Sequence, residues 1–241
     1  MKAIITGMNG TVAPYVYEEL LNHDFEVIIW DRSQVDIHSF ESVHNFISLH
    51  QPDIFFHLAT GPIEWLEAIV KSTDELNIRL LFTSTVSVFS EKGSGPYDIT
   101  SIPNSEEDYG RYKIMCEQLI TNHHHNAVIV RLGWQIGAHA RSNNMFHYVS
   151  NQHKSQGYIE ASSKWVPSCS FLDESARVLV DCALHFHPGL YMANSNRKYS
   201  FFEIVSFLKD KYHTDWNIKE TTSFQRDDRM IDSRVKMKEL F

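Results

Sequence analysis

No run in this chain comes near the roughly 20 consecutive apolar residues that a bilayer-crossing helix needs, so no membrane partner is expected. Cysteine is scarce: Cys116, Cys169 and Cys182 stand far apart, without a C-x-x-C spacing, and their odd number leaves one unpaired in any scheme. That argues against a disulfide or zinc framework and fits a reducing compartment, with the three thiols read as small apolar residues. Positive charge is also in short supply, with 22 Lys and Arg against 30 Asp and Glu, a net charge of −8. Without a basic stripe nothing tracks a phosphate backbone, and nucleic acid is not expected as a partner. A small anion stays open, because local groups can oppose the global charge. Met1-Lys2 runs straight into Ala3-Ile4-Ile5-Thr6, too short for a leader's apolar core, and a cytoplasmic location is expected.

Histidine, by contrast, is plentiful, 14 in all, with His123-His124-His125 and His185-Phe186-His187 as the dense stretches. Adjacent residues do not converge on one ion without fixed partners, and no carboxylate or cysteine pattern completes either group, so no metal is expected. The chain has no internal repeat.

The dominant pattern is alternation of short apolar runs with helical spacing. Ala3 to Thr6 reads as a strand, Gly7 to Ala13 as a turn and Pro14 to Asn22 as a helix, with Pro14 tolerated in a first turn whose amides lack partners. Strands follow at Phe25 to Trp30, Asp53 to His57, Arg79 to Ser84 and Ala127 to Leu132, and helices at Ser39 to His50, Trp65 to Leu76 and Asp108 to Asn122. This order predicts an α/β fold with a doubly wound parallel sheet. Beyond about residue 137 the periodicity loosens, with helices predicted at Asn143 to Gln152, Leu172 to His185 and Phe201 to Tyr212. The expected division is a nucleotide-binding domain over 1–137 and mainly a small α/β substrate lobe over 138–241, with room for segments that return to the sheet.

Two places carry chemistry. Gly7-Met8-Asn9-Gly10-Thr11-Val12-Ala13 is a G-x-x-G-x-x-A turn between a strand and a helix, where amides and a helix N-terminus can hold a pyrophosphate. A structural turn uses two glycines equally well, but Asp31 ends the second strand about 20 residues on, where a carboxylate accepts from a ribose hydroxyl. Arg32-Ser33 follow and suit a 2′-phosphate instead, so NADH and NADPH both stand, with a slight lean to NADPH. The second place is Tyr109-Gly110-Arg111-Tyr112-Lys113, where one helical turn sets a phenol beside an ammonium. A phenol with a pKa near 10 works at neutral pH only with such support, and Thr85, at the end of the fourth strand, can polarise a substrate oxygen. Tyr112 is an internal control, because its i+4 neighbour is Cys116. Trp65, Trp134, Trp165 and Trp216 read as packing residues, except that Trp134 lies just past a strand, at the sheet end where ligands bind.

In this order the residues resemble an extended short-chain dehydrogenase/reductase, and most closely the dTDP-4-dehydrorhamnose reductase family. Asp31-Arg32-Ser33-Gln34-Val35-Asp36-Ile37 is similar to that family's second-strand segment, and Gln51 to Thr60 to its Pro-Asp strand and cofactor-contacting loop. Ser84-Thr85-Val86-Ser87-Val88-Phe89 resembles its Ser-Thr-Asp-Tyr-Val-Phe run. Gly95-Pro96-Tyr97-Asp98, Tyr109 to Lys113, Arg131 to Gly137 and Gly189 to Asn194 match further motifs in sequence order. The resemblance implies a Rossmann fold and NADP or NAD as cofactor, held by Gly7, Asn9, Gly10, Thr11, Val12, Asp31, Arg32, Ser33, Asp36, Ile37, Leu58, Ala59, Thr60, Tyr109 and Lys113. It implies catalysis by Thr85, Tyr109 and Lys113, and substrate contacts from Thr85, Trp134 and Asn144. The implied reaction is hydride transfer to a keto group of a nucleotide-linked deoxysugar, with Tyr109 as proton donor.

Between Ala59 and Thr83 the chain is shorter than that family by on the order of one helix and a half. The helix that commonly dimerises extended reductases and an asparagine of the proton relay fall in the gap, so monomer and homodimer both stand. Ser163-Lys164-Trp165-Val166-Pro167-Ser168 replaces the family's Asp-Gln before its Pro-Thr segment, which leaves the sugar and nucleotide open. An epimerase or dehydratase, and a non-catalytic nucleotide-binding regulator, are the other readings of the same scaffold.

Overall fold

A computed structural model describes residues 1–137 and 143–241. Six parallel strands form the central sheet: β1 (Lys2–Ile5), β2 (Glu26–Ile29), β3 (Ile54–His57), β4 (Arg79–Thr85), β5 (Ala127–Leu132) and, from the far half of the chain, β10 (Gly189–Ala193). The inner strands are mainly apolar because both faces are covered, whereas β2, at the sheet edge, leaves Glu26 and Ile29 exposed. Successive residues go to opposite cores: Ala3 and Ile5 pack with Phe56, Leu81 and Val130, whereas Ile4 packs with Phe55, Leu80 and Phe82. Helix α1 (Ala13–Asn22) lies against α6 (Leu172–His185) over the first core. Helices α2 (Phe40–His50), α3 (Ile63–Glu75) and α4 (Asp108–His123) cover the second.

The strand order is β10-β5-β4-β3-β1-β2. After β1 the chain steps outward to β2 and then crosses back to place β3 on the other side of β1. At that reversal the two connections leave in opposite directions, opening a crevice at the carboxyl ends of β1 and β3, where ligands of such sheets bind.

The remaining elements build a lobe with its own core of Ile136, Met145, Val149, Ile159, Phe201, Ile204, Leu208 and Trp216. It contains α5 (Met145–Gln156), α7 (Phe201–Lys211) and three two-stranded parallel pairs. These are β6 (Trp134–Ile136) with β9 (Cys169–Phe171), β7 (Ile159–Ser162) with β11 (Ile218–Thr221), and β8 (Trp165–Val166) with β12 (Arg226–Asp227). The helix expected at Asn143 to Gln152 begins two residues later, because Asn144 is its cap: its side chain accepts from the His147 amide at 3.0 Å. Of the histidine run only His124 packs inward, while His123 and His125 are exposed. His124 is buried with Nε2 3.0 Å from Thr73 Oγ1, and His125 Nδ1 lies 2.5 Å from Asp74. Among the described residues no three potential metal ligands cluster, all three cysteines are free and buried, and no helix is long and apolar enough to cross a membrane.

Candidate active site

At the end of β1 the chain makes its tightest approach to β3. Gly7 has φ 88°, a conformation that side chains resist, and a Cβ there would sit 3.0 Å from the Leu58 carbonyl. Thr6 ties the two strand ends together: its hydroxyl oxygen accepts from the amides of Leu58 (3.1 Å) and Ala59 (3.2 Å). With those acceptor sites in use, its proton is free for His57 Nδ1 at 3.1 Å, which leaves the neutral ring protonated on Nε2. His57 is fully enclosed, and burial pushes its pKa down to about 3, with the Lys113 and Arg32 charges adding to the effect. Val12 caps helix α1 without a side-chain hydrogen bond and no acidic residue stands in the first turn, so the positive end of the helix is open to an anionic ligand.

A cavity of about 620 Å³ spreads from this turn along Gly7, Asn9, Gly10, Asp31, Arg32, Ala59 and Thr60, with Trp30 and Trp65 as its apolar wall. Arg32 is fixed there: its guanidinium lies 4.7 Å over the Trp65 ring and donates to the Thr60 carbonyl at 2.7 Å. The Asp31 carboxylate, by contrast, closes its own turn, accepting from the Ser33 amide at 2.8 Å and Gln34 Nε2 at 3.2 Å. Those hydrogen bonds hold its pKa below the ordinary carboxylate value.

A second cavity, about 330 Å³, shares Leu58 and Thr60 with the first and continues past Thr11 and Val12 to Thr85, Tyr109, Lys113 and Trp134. Lys113 is 3 % exposed; its ammonium donates to the Thr83 carbonyl at 2.8 Å and rests 4.5 Å from the centre of the Phe82 ring. Burial brings its pKa down to about 8, against the pull of Cys116 and Glu117, which favour the charge. Tyr109 is 50 % exposed at the cavity mouth, 6.0 Å from that ammonium measured at its ring centre. Desolvation raises its phenol above the ordinary value and the Thr85 hydroxyl works the other way. Tyr112, expected to lack a cation, has the same ammonium 5.9 Å from its ring centre, because Lys113 folds back over both rings. What sets it apart is that it lines neither cavity, its hydroxyl accepting from the Gly61 amide at 3.3 Å, and burial raises its pKa to about 12.

Of the residues singled out in the sequence, Gly7, Asn9, Gly10, Thr11, Val12, Asp31, Arg32, Leu58, Ala59, Thr60, Thr85, Tyr109, Lys113 and Trp134 line one cavity or the other. Ser33, Asp36, Ile37 and Asn144 line neither; Asn144 serves as the α5 cap, and its neighbour Asn143 borders the second cavity instead. Three residues that sequence reasoning gave no role join the elements of the site: Ser84, which lines the second cavity, and Glu117 and Arg131, buried behind it. Glu117, one helical turn beyond Lys113, accepts from Ser84 Oγ at 2.6 Å and takes two hydrogen bonds from Arg131, at 2.8 and 2.7 Å. The i+4 spacing of Lys113 and Glu117 was visible, but nothing local joins either to a strand residue at 131.

These features coincide with a family model. Residues 3–166 match the NAD dependent epimerase/dehydratase family. The chain belongs to that family. Among its relatives, the spore coat polysaccharide biosynthesis protein SpsK of Bacillus subtilis is 22 % identical over 226 residues, 87 % of this chain and 79 % of that protein. A dTDP-4-dehydrorhamnose reductase of Aggregatibacter actinomycetemcomitans is 24 % identical over 199 residues, 76 % of this chain and 67 % of that one. The fold is that of the dTDP-4-dehydrorhamnose reductase of Bacillus anthracis solved with NADP, at TM-score 0.83 and 19 % identity over 99 % of this chain and 95 % of that one. The residues present fit the family's dinucleotide. A turn without a Cβ at its closest point, the open positive end of α1 and a cavity walled by Trp30 and Trp65 are what a pyrophosphate and its flanking rings require.

Proposed function

We propose that this family member is an NAD(P)H-dependent reductase that transfers hydride to a keto group of a nucleotide-linked deoxysugar or a related carbonyl compound. The observation that carries this reading is the convergence of Thr85, Tyr109 and Lys113 on one cavity that runs into the dinucleotide crevice at Leu58 and Thr60. The sugar-nucleotide substrate is taken from the named reductase relatives. A nicotinamide dinucleotide, when held by the Gly7 to Val12 turn and Arg32, would supply the hydride. Tyr109, protonated at neutral pH, gives its proton to the substrate oxygen, and the Thr85 hydroxyl donates a hydrogen bond to the same atom. The carbonyl thereby gains one hydride and one proton and becomes an alcohol. Lys113 keeps a positive charge behind the phenol, favouring the phenolate left after transfer. Arg32, braced against Trp65 beside an Asp31 already occupied in its own turn, supports NADPH over NADH.

The test is oxidation of NADPH by the purified protein in the presence of a 4-keto-6-deoxy sugar nucleotide. Tyr109→Phe is expected to lower the rate by about 10²–10⁴-fold, the usual share of a general acid, while NADPH still binds through the Gly7 turn and Arg32. Tight binding without oxidation would count against the reading and favour a regulatory role. Isomerisation of a sugar nucleotide with retained cofactor and no net oxidation would make the protein an epimerase.

A further inference from the structure

Ser84, Glu117 and Arg131 form a buried hydrogen-bonded cluster. Arg131 is 2 % exposed and Glu117 7 % exposed, and an ion pair so enclosed is costly to keep. Its position is specific. Ser84 and Arg131 are register partners on β4 and β5, one residue before Thr85 and Leu132, both of which line the catalytic cavity. Glu117 projects from α4 one turn after Lys113. The three hydrogen bonds therefore join the strand that ends in Thr85, the strand that leads to Trp134 and the helix that carries Tyr109 and Lys113.

We propose that Glu117 and Arg131 are positioning residues: they lock α4 onto the ends of β4 and β5, and Glu117 neutralises Arg131 so that Lys113 stays charged in a buried site. Of the groups around Lys113, Cys116 and Glu117 favour its charge, and Glu117 is the carboxylate of the two. From β4 Lys113 meets the Thr83 carbonyl and the Phe82 ring, and from α4 Tyr109, Tyr112, Cys116 and Glu117. From β3 the nearby group is His57, which is neutral, and Arg32 is committed to Thr60 and Trp65. Among the described residues lining the catalytic cavity, Lys113 is the sole cation. Glu117 is the carboxylate that answers Arg131, whose Nη1 has no partner. The role assigned to Lys113 rests on the reductase reading, but the electrostatic coupling does not.

The experiment follows the side-chain NMR signal of Lys113 through a pH titration, identified by its loss in Lys113→Met, and needs no substrate. Glu117→Gln keeps the shape and leaves Arg131 unanswered, so the Lys113 titration is expected to move down by about one pH unit, a tenfold fall in the ratio of ammonium to amine at fixed pH. Arg131→Gln leaves Glu117 unpaired beside Lys113 and is expected to move the titration up. The double variant returns it toward the wild-type value. A purely structural pair would disturb Lys113 in the same direction in both single variants, and that result, or no shift in either, overturns the proposal. Should Glu117→Gln fold too poorly to titrate, the upward shift in Arg131→Gln decides alone. If catalysis follows the reading above, the basic limb of kcat moves with the same signs while NADPH affinity stays, so a protein inert toward sugar nucleotides still tests the coupling.

Discussion

A lysine buried against a cavity pays for its place in stability. The Lys113 pKa of about 8 lies below the ordinary value. Below that pH both folded and unfolded chains hold the proton, and the full cost of burying the charge is present. Between about 8 and roughly 10.4 the unfolded chain binds more protons than the folded one, so this group's contribution to stability rises with pH. Lys113→Met removes the charge, and its stability gain over wild type is expected to be largest near neutrality and to shrink as pH rises toward 10, while turnover is lost. Denaturant melts of both proteins across that range check it; a gap that widens with pH would contradict the burial of a charged Lys113. At this scale, what was legible in the sequence was what one helical turn encodes, Tyr109 with Lys113. Partners that meet only through the fold, Arg32 with Trp65 and Glu117 with Arg131, left no local trace.

At the level of elements, the start of α4 has the least freedom. Gly110, between Tyr109 and Arg111, faces the Ser87 carbonyl and the Ser105 hydroxyl so closely that a Cβ has no room. The approach brings the Tyr109 turn against the short 3₁₀ segment Val86–Val88 that follows Thr85, whose side chain caps that segment by accepting from the Ser87 amide at 3.1 Å. Gly110→Ala is expected to push α4 outward, costing about 1–3 kcal/mol as overpacking does. It should lower kcat more than it weakens cofactor binding, because the dinucleotide turn on α1 is untouched. Thermal melts and a cofactor titration separate the two effects. Strands β1, β3, β4 and β5 were readable because each carries an apolar run covered on both faces, and the edge strand β2 by its apolar Val27-Ile28-Ile29, although Ile29 is exposed. The paired strands of the lobe were not: each has two to four residues, and its register comes from a partner tens of residues away, as in Ile159 with Ile218. Asn144 shows the same limit, because a polar residue before a helix reads alike as a cap and as a ligand contact.

For the whole molecule, the reversal of strand order around β1 converts a local preference at Arg32 into a global one. A ligand that binds only the folded chain stabilises all of it by RT ln(1 + [L]/Kd), about 2.7 kcal/mol at a hundredfold excess over Kd. In a chain of this length that corresponds to roughly 5–10 °C in Tm. The crevice draws on β1, β2, β3 and α3 at once, through Gly7, Asp31, Ala59 and Trp65, so occupancy is felt across the sheet. The NADPH-induced rise in Tm is expected to exceed the NADH-induced rise at equal concentration. A guanidinium contact to a phosphate contributes about 1.5–3 kcal/mol, so Arg32→Ala should lower NADPH affinity by roughly 10–100-fold and leave NADH nearly unchanged. Differential scanning fluorimetry of both proteins with both cofactors reads this directly. Equal shifts in wild type, or equal losses for both cofactors in Arg32→Ala, would mean that the arginine only braces Trp65 and Thr60 and that the choice of cofactor is made elsewhere in the crevice.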